Sequence, residues 1–436
     1  MRVVVVGAGL AGLFTACELI AQGVEDVVVV DDSPDPGGVT RTIVRDGYTL
    51  EPGAGSFVLP HPDLSRLLDQ VDAEVVSTRP TSSVRYVYAD DRLVAIPASP
   101  GALLAPVVSI GAKVRALGEP LIRSKSPSEE SLDSFCRRRF GSSAGGVLAW
   151  LLATGVFAGD PRQISVEAAF PALFRLEEHG SVLLGAIKRR RARVGPRPSA
   201  FVPVGGMAGL TGSVARVLGG RLRTNFRVES VHEANGGWVV RGPDDMSADA
   251  VVVATDPLQA AAMLEGDLSV LLAKATSAPV VVGGLGGSTD QSRIPEGFGV
   301  LVDGGEEMIT RGVLFESSYA IGRAPEGSWL LKIIAGGATA PGVVDWEADQ
   351  LVDRLISEAS RIVGAELDPT FVEVVRHRRG IPQYGVGHMR WLDEIDALVA
   401  ARPGLALTGW GYRGVGVAQI ATDSRAVASK FAGKTR

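Results

Sequence analysis

Cysteine is nearly absent: Cys17 and Cys136 are the two in 436 residues. Two thiols make no disulfide framework, so a reducing compartment is expected. Cys17 falls on the first expected helix as a core residue, and Cys136 has no histidine nearby to make it a reactive thiol. Histidine is scarce as well, with five at 61, 179, 232, 377 and 388, and no spacing among them suits a metal. Aromatic side chains make up 6% and the net charge is −5. The chain therefore lacks both the basic field and the stacking platforms that nucleic acid needs. Long unbroken apolar runs are also missing. Residues 93–112 and 140–159 are uncharged and long enough to span a bilayer. However, Pro97, Pro100 and Pro106 interrupt the first, and Gly141, Gly145 and Gly146 the second. The apolar N-terminus is broken by glycines and Glu18 and lacks a cleavage site, so it reads as strand, turn and helix and not as a secretory signal. A cytoplasmic location is the expectation.

What is present is 46% hydrophobic residues over a length that suits two or three domains. The most informative stretch is the first. Arg2 and the four valines to Val6 read as a buried parallel strand, Gly7-Ala-Gly9-Leu-Ala-Gly12 as the turn after it, the apolar run to Gln22 as a helix, and residues 27–30 as a second strand closed by Asp31. That spacing has a mechanism: Gly7 supplies a tight turn, Gly9 lets the backbone approach a pyrophosphate, and Gly12 lets the helix pack on the sheet. The helix N-terminus then turns free N–H groups and a positive dipole end toward phosphate. Asp31, roughly 20 residues on, is placed to accept ribose hydroxyls. Asp32 is the alternative acid, one residue out of strand phase.

Further along, residues 60–76 read as a helix and 84–96 as a hairpin about Asp90-Asp91. Residues 97–127 are expected as helix punctuated by proline and glycine, and Ser131 caps a helix with Phe135 and Phe140 inward. Residues 101–122 carry few charges and suit core packing or a hydrophobic mouth better than a membrane interface. The run Lys188-Arg189-Arg190-Arg191 reads as a solvated helix end, with attraction of an anionic substrate or membrane surface as the alternative. Strands are expected at 221–231, with Arg227-Val228 among them, and at 237–241, 250–254, 280–285, 298–302, 312–317 and 329–334. Helices are expected at 345–363 and 417–431.

After the first unit come Gly37-Gly38, Arg41 and Glu51-Pro-Gly53-Ala-Gly55-Ser56-Phe57. With these the N-terminus resembles the flavin amine oxidase superfamily, in which a second glycine pair beside the pyrophosphate marks FAD rather than NAD. Mid-chain, Gly155-Val-Phe-Ala-Gly159-Asp160, Ile164-Ser165, Phe170-Pro171 and His179-Gly180-Ser181 resemble, in this order, motifs of the protoporphyrinogen oxidase family and its coproporphyrinogen-oxidising branch. So do Arg323-Ala-Pro325, Gly336-Gly337, Ile381-Pro-Gln-Tyr384 and the glycine-rich run from Gly409 to Gly416. The sequence departs from that pattern at Ala320-Ile321, where the family has Phe-Pro, and at His377, where a tryptophan is common.

The resemblance implies an α/β fold: a Rossmann-like FAD-binding domain (1–58, 196–262, 380–436), a mixed-sheet substrate domain (59–84, 164–195, 263–379) and a helical insert (85–163). For FAD it implies the first turn, Gly7, Ala8, Gly9, Leu10, Ala11 and Gly12, with Asp31 or Asp32 on the ribose and the Val228 backbone against the adenine. Gly38, Val39, Gly53, Ala54, Gly55 and Ser56 would follow the pyrophosphate and flavin, and Gly409, Val415, Gly416 and Val417 would close on the flavin. For the substrate it implies Arg85 on a propionate, the Gly155 carbonyl facing pyrrole N–H groups, and Leu301, Leu314 and Ile334 against the macrocycle. The implied reaction moves hydride from a meso carbon of a reduced tetrapyrrole to flavin while a pyrrole N–H loses its proton. Dioxygen then takes the electrons as peroxide, over three cycles. No catalytic acid, base or metal is demanded. Membrane contact and the choice of monomer or homodimer stay open, as do an amine- or carotenoid-type oxidoreductase and a porphyrin-binding flavoprotein without activity.

Overall fold

After Arg2, four consecutive valines leave the strand Arg2–Val6 no further polar side chain for water, and Val3 to Val6 are all buried. In the computed structural model, which describes residues 1–97, 109–122, 129–192, 194–234, 236–303, 305 and 307–432, this strand lies in the middle of a parallel sheet. Its five strands run in the order Leu222–Arg223, Asp26–Val30, Arg2–Val6, Ala250–Val253, Leu405–Leu407. Parallel neighbours need crossover connections, and burial on both faces makes their sequences uniformly apolar. The helices Leu10–Ala21, Gly206–Leu218 and Val417–Ser429 cover one face. The other meets a small antiparallel sheet of Ser230–Ala234, Gly237–Arg241 and Met246–Ala248, together with the helix His388–Ala400.

The second sheet has seven strands: Phe371–Pro382, Ser277–Ser288, Ser328–Gly336, Thr310–Leu314, Gly299–Val302, Val84–Ala89 and Arg92–Pro97. It is antiparallel except where Gly299–Val302 runs parallel to Val84–Ala89. One face, with Val300, Val313, Leu331 and Ile333, is sealed by the helix Ala348–Val363. Ser277–Ser288 is glycine-rich because large side chains press on it from both sides. A Cβ at Gly286 would lie 2.5 Å from the Tyr48 ring, and one at Gly283 would lie 2.9 Å from Leu355.

Several expectations are corrected. The hairpin at 84–96 belongs to the large sheet and not to the helical insert, because its first strand pairs with Gly299–Val302. The helical body instead runs on to Arg191, since Phe135, Phe157, Val166 and Val182 share one core. The helix expected over 60–76 stops at Gln70; Asp72 turns left-handed (φ 49°), and Val75–Ser77 then pairs with Ser199–Pro203. The strand expected to include Arg227 and Val228 breaks after Arg223, where Asp31 N–H donates to the Arg223 carbonyl and Phe226 N–H returns to the Asp31 carbonyl at 2.7 Å. The strand expected over 312–317 ends at Leu314, and Glu316–Tyr319 is a helical turn. Residues 98–108, which include the first part of the stretch 101–122 compared with a membrane interface, lie outside the described residues. The helix that follows them, Ile110–Leu117, does not bury its apolar face: Ile110, Val114, Leu117 and Leu121 are 62–82% exposed.

The helical body is pinned by a buried carboxylate. Glu119 receives the Arg139 guanidinium, the Ser181 hydroxyl, and the N–H groups of Val182 (2.9 Å) and Leu183 (3.1 Å) at the start of the helix Val182–Arg191. A carboxylate there meets orphan donors and the positive dipole end together. Burial alone would raise its pKa, but the hydrogen bonds from Ser181, Val182, Leu183 and Arg139 hold it below the usual carboxylate range. Its contribution to stability is therefore complete above the unfolded-state value and is lost as pH falls through the lower folded value. Glu119→Ala is expected to lower the unfolding free energy by about 3 kcal/mol at neutral pH. In urea titrations the gap between variant and parent narrows below about pH 4.

Candidate functional site

At the turn after the first strand the three glycines do three different things. Gly7 takes φ 104° while its N–H donates to the Val30 carbonyl at 2.8 Å, tying the turn to the next strand. A Cβ on Gly12 would fall 1.8 Å from the Gly7 carbonyl oxygen, so the helix can sit there only without a side chain. Gly9 is different: its φ is −68°, and a Cβ there would meet no protein atom within 4 Å. Nothing inside the protein requires glycine at that position, so the space beside it fits an external group. Gly9 is also the cap of the helix Leu10–Ala21, which has no side-chain cap and no acid in its first turn, leaving N–H groups for a phosphate.

The other expected cofactor residues gather on this turn. Gly9 bridges to Gly37, and a Cβ on Gly38 would stand 3.3 Å from the Gly9 Cα. Gly53 lies under the Val39 carbonyl, where a Cβ would approach to 2.3 Å. Asp31 accepts from Ala8 N–H at 2.5 Å and Ser33 N–H at 2.9 Å, so its carboxylate is fixed at the edge of the turn; Asp32 is exposed. Val228, although not in a strand, packs against the core cluster that includes Val30. Thr255 reaches Gly7 and Gly409, and Ser424 of the last helix donates to the Ala11 carbonyl at 3.2 Å. The cap of that helix, Gly416, again carries no side-chain bond and no acid follows in the first turn. Tyr384 holds the glycine-rich loop before it, donating to the Trp410 carbonyl (2.5 Å) and accepting from Gly414 N–H (2.8 Å).

The face of the large sheet turned away from Ala348–Val363 carries the expected substrate residues. Arg85 stands beside Gly299, Gly299 beside Leu314, and Leu314 beside Lys332. In the next row Leu301, Gly312 and Ile334 are neighbours. Residues two apart share a face, so Arg85, Leu301, Leu314, Ile334 and Lys332 all project together. Leu301, Leu314 and Ile334 are only half-buried, whereas the opposite face is sealed. Gly155, exposed on the helix Ser142–Phe157, lies across from them, its missing Cβ 3.2 Å from Leu301. Arg85 is exposed, makes no ion pair among the described residues, and lays its guanidinium 5.3 Å from the Phe298 ring centroid.

Between the two regions lies a set of charges, of which the sequence shows Glu51 and Arg323 only as motif residues and gives no role to Glu316 or Lys332. Glu51, Glu316, Arg323 and Lys332 are all at most 4% exposed. Arg323 contacts Glu51 and stands 3.7 Å from Glu316, and the Lys332 ammonium donates to the Gly53 carbonyl at 2.6 Å. Burial pushes the Lys332 pKa down, and Glu316 and Glu51 push it back. His377, its pKa lowered by burial, lies 3.1 Å from the Pro52 carbonyl. A lone lysine inside Trp-Leu-Leu-Lys-Ile-Ile-Ala was the available signal. The two cysteines are buried with thiol pKa values raised by desolvation, which removes them as nucleophiles. Among the described residues no cluster could hold a metal and no helix is long and apolar enough to cross a membrane.

A nucleotide turn with vacant N–H groups, facing an apolar surface on a second sheet, is the plan of a flavin-dependent oxidoreductase, and this chain is one. It belongs to the family described as flavin containing amine oxidoreductases, whose pattern matches residues 10–419, and its cofactor is FAD. It is 29% identical to the mitochondrial protoporphyrinogen oxidase of Nicotiana tabacum over 95% of this chain and 91% of that one. It is 26% identical to the coproporphyrinogen III oxidase of Bacillus subtilis (strain 168), over 98% and 97% respectively. Among solved structures, a protein of Exiguobacterium sp. 255-15 provisionally assigned as a protoporphyrinogen oxidase shares the fold, with a TM-score of 0.84, 21% identity, and 99% and 98% of the two chains covered.

The glycines separate cofactor binding from folding. Gly9→Val is expected to give a folded, colourless protein whose apo-form unfolding midpoint matches that of the parent apoprotein. Gly12→Ala is expected to lose about 3 kcal/mol of stability or more, from forced displacement of the helix. Absorbance near 450 nm and urea titration together check both outcomes.

Proposed function

We propose that this protein oxidises a porphyrinogen, coproporphyrinogen III or protoporphyrinogen IX, to the porphyrin in heme biosynthesis, with dioxygen as final acceptor and hydrogen peroxide as product. The observation that carries this reading is the sheet face on which an unpaired Arg85 borders Leu301, Leu314 and Ile334, opposite the bare backbone of Gly155. A flat macrocycle with apolar faces and carboxylate arms fits such a surface: the leucines and isoleucine take the ring, and a guanidinium fork takes a propionate in two parallel hydrogen bonds. The names of the relatives support the same substrate class.

In this reading FAD is held by the turn Gly7 to Gly12, Asp31, Gly38, Val39, residues 53–56, Val228 and the loop 409–417, and when bound it supplies a two-electron acceptor. The chain's own task is to orient the ring and keep water away; aromatisation of the product supplies the driving force, so positioning suffices without an acid or base. The exposed row Ile110, Val114, Leu117 and Leu121 is the surface that supports peripheral membrane contact.

The test is direct. Purified protein mixed in air with each freshly reduced porphyrinogen should produce porphyrin fluorescence and peroxide, with three peroxides for each porphyrin. FAD-loaded protein that yields neither with both substrates overturns the proposal. Arg85→Ala is expected to raise KM by about tenfold, the worth of one charge-assisted pair, with kcat within twofold; an unchanged KM assigns the propionate to another residue.

A further inference from the structure

Four buried charges sit where the two sheets meet, and the fold alone gives no reason for them. Moving an ion out of water costs several kcal/mol even after relaxation, and well-packed apolar side chains of similar volume usually do as well or better. Their contacts have a pattern. Lys332 Nζ donates to the Gly53 carbonyl at 2.6 Å, Arg323 Nη2 donates to the Gly55 carbonyl at 3.3 Å while its other arm meets Glu51, and His377 lies 3.1 Å from the Pro52 carbonyl. Three side chains from the substrate-sheet side thus grip three carbonyls in one short loop. The loop's own Glu51 is held from its other side by Thr42 Oγ1 (2.9 Å) and Met207 N–H (3.1 Å). Two acids and two bases balance to zero. Lys332 itself belongs to the substrate face, beside Leu314 and two residues before Ile334.

We propose that Lys332, with Glu316, Arg323 and Glu51, forms a charged clamp that fixes the loop 51–56 against the substrate face, so that Lys332 positions the flavin relative to the ring to be oxidised. A donor reaching from the substrate strand to a carbonyl of the cofactor loop ties the two binding surfaces by one side chain, and an apolar residue of the same length could fill the space without setting the separation. Glu316, which lies 3.7 Å from Arg323 Nε, supplies negative charge that offsets the lysine. This inference rests on the proposed placement of FAD along residues 53–56.

The experiment compares Lys332→Met/Glu316→Gln, which keeps the cluster neutral, with Lys332→Arg and with Asp31→Asn, each purified as holoprotein. FAD affinity is read by flavin fluorescence on dilution, and kcat and KM are read separately. The neutral pair is expected to weaken FAD binding at least tenfold and to lower kcat about tenfold with KM within twofold, a split that loss of general stability does not produce. Lys332→Arg, which retains charge and donor, should stay within threefold of the parent in FAD affinity. A neutral pair indistinguishable from the parent overturns the clamp, as does a tenfold loss of affinity in Lys332→Arg. Asp31→Asn separates the two readings: if it weakens FAD while the neutral pair does not, the clamp alone is wrong. If neither variant affects FAD, the placement of the cofactor is wrong as well.

Discussion

Parallel pairing on both edges of Arg2–Val6 is the constraint from which the rest of the architecture follows. Its partners are Asp26–Val30 on one side and Ala250–Val253 on the other, and the sheet closes only with Leu405–Leu407. A strand so placed cannot be completed locally, because each parallel neighbour has to arrive by a crossover. Between residues 30 and 222, and again between 253 and 405, the chain leaves, builds another unit, and returns. The large sheet and the helical body are those excursions: the sheet takes strands from both, and the helices of the body come from the first. The nucleotide turn stays at the carboxyl end of the first strand throughout, where the helix dipole and the spare N–H groups are.

Excursions of that length need to be held in register with the sheet they leave, and the molecule does this with polar groups more than with core packing. Tyr384 joins the large-sheet exit to the glycine-rich loop before the last helix, and Gln383 Nε2 reaches the Phe157 carbonyl at 2.8 Å in the helical body. Glu119 and Arg139 do the same inside that body, and the charged set around Glu51 does it between the two sheets. Tyr384, Glu119, Arg139, Glu51 and Lys332 are buried, and each of them bonds to backbone. Directional bonds of this kind fix separation and angle where an apolar contact would leave sliding freedom.

Much of this was legible in the sequence, for reasons that can be stated residue by residue. Four valines followed by glycines at 7, 9 and 12 allow few alternatives, because turn, approach and packing each exclude a side chain at a different glycine. Strand alternation put Arg85, Leu301, Leu314 and Ile334 within reach of one another only through the resemblance; periodicity alone says nothing about which strands become neighbours. Errors fell where local signal and tertiary pairing disagree. Residues 75–77 followed a helical pattern but pair with 201–203, and Glu316-Ser317 continued an apolar strand but turns into a helix. The strand expected at 280–285 is present and runs on through Gly286-Gly287 to Ser288, where Tyr48, Leu50, Leu355 and Trp329 occupy the space of the absent side chains. Lys332 escaped notice because a charge in an apolar strand has meaning only once its carbonyl partner, 279 residues away, is known.

The motifs that carry the resemblance divide accordingly into those that touch ligand and those that hold the frame. His179-Gly180-Ser181 is the second kind: the Gly180 carbonyl accepts from Arg139 at 3.1 Å, and Ser181 caps the helix it begins and donates to Glu119. Gln383-Tyr384 is the second kind too. In the proposed reading, what remains for chemistry is backbone at the glycine turns, one guanidinium, and three apolar side chains, a sparse set that suits a reaction whose cofactor carries the electrons. On that reading substrate choice rests on the face bearing Arg85 and Ile334, while cofactor geometry rests on the frame. In the proposed reading a substitution at Ile334 alters what the face accepts, whereas one at Tyr384 removes the bonds to the Trp410 carbonyl and Gly414 N–H that hold the loop before the last helix in place.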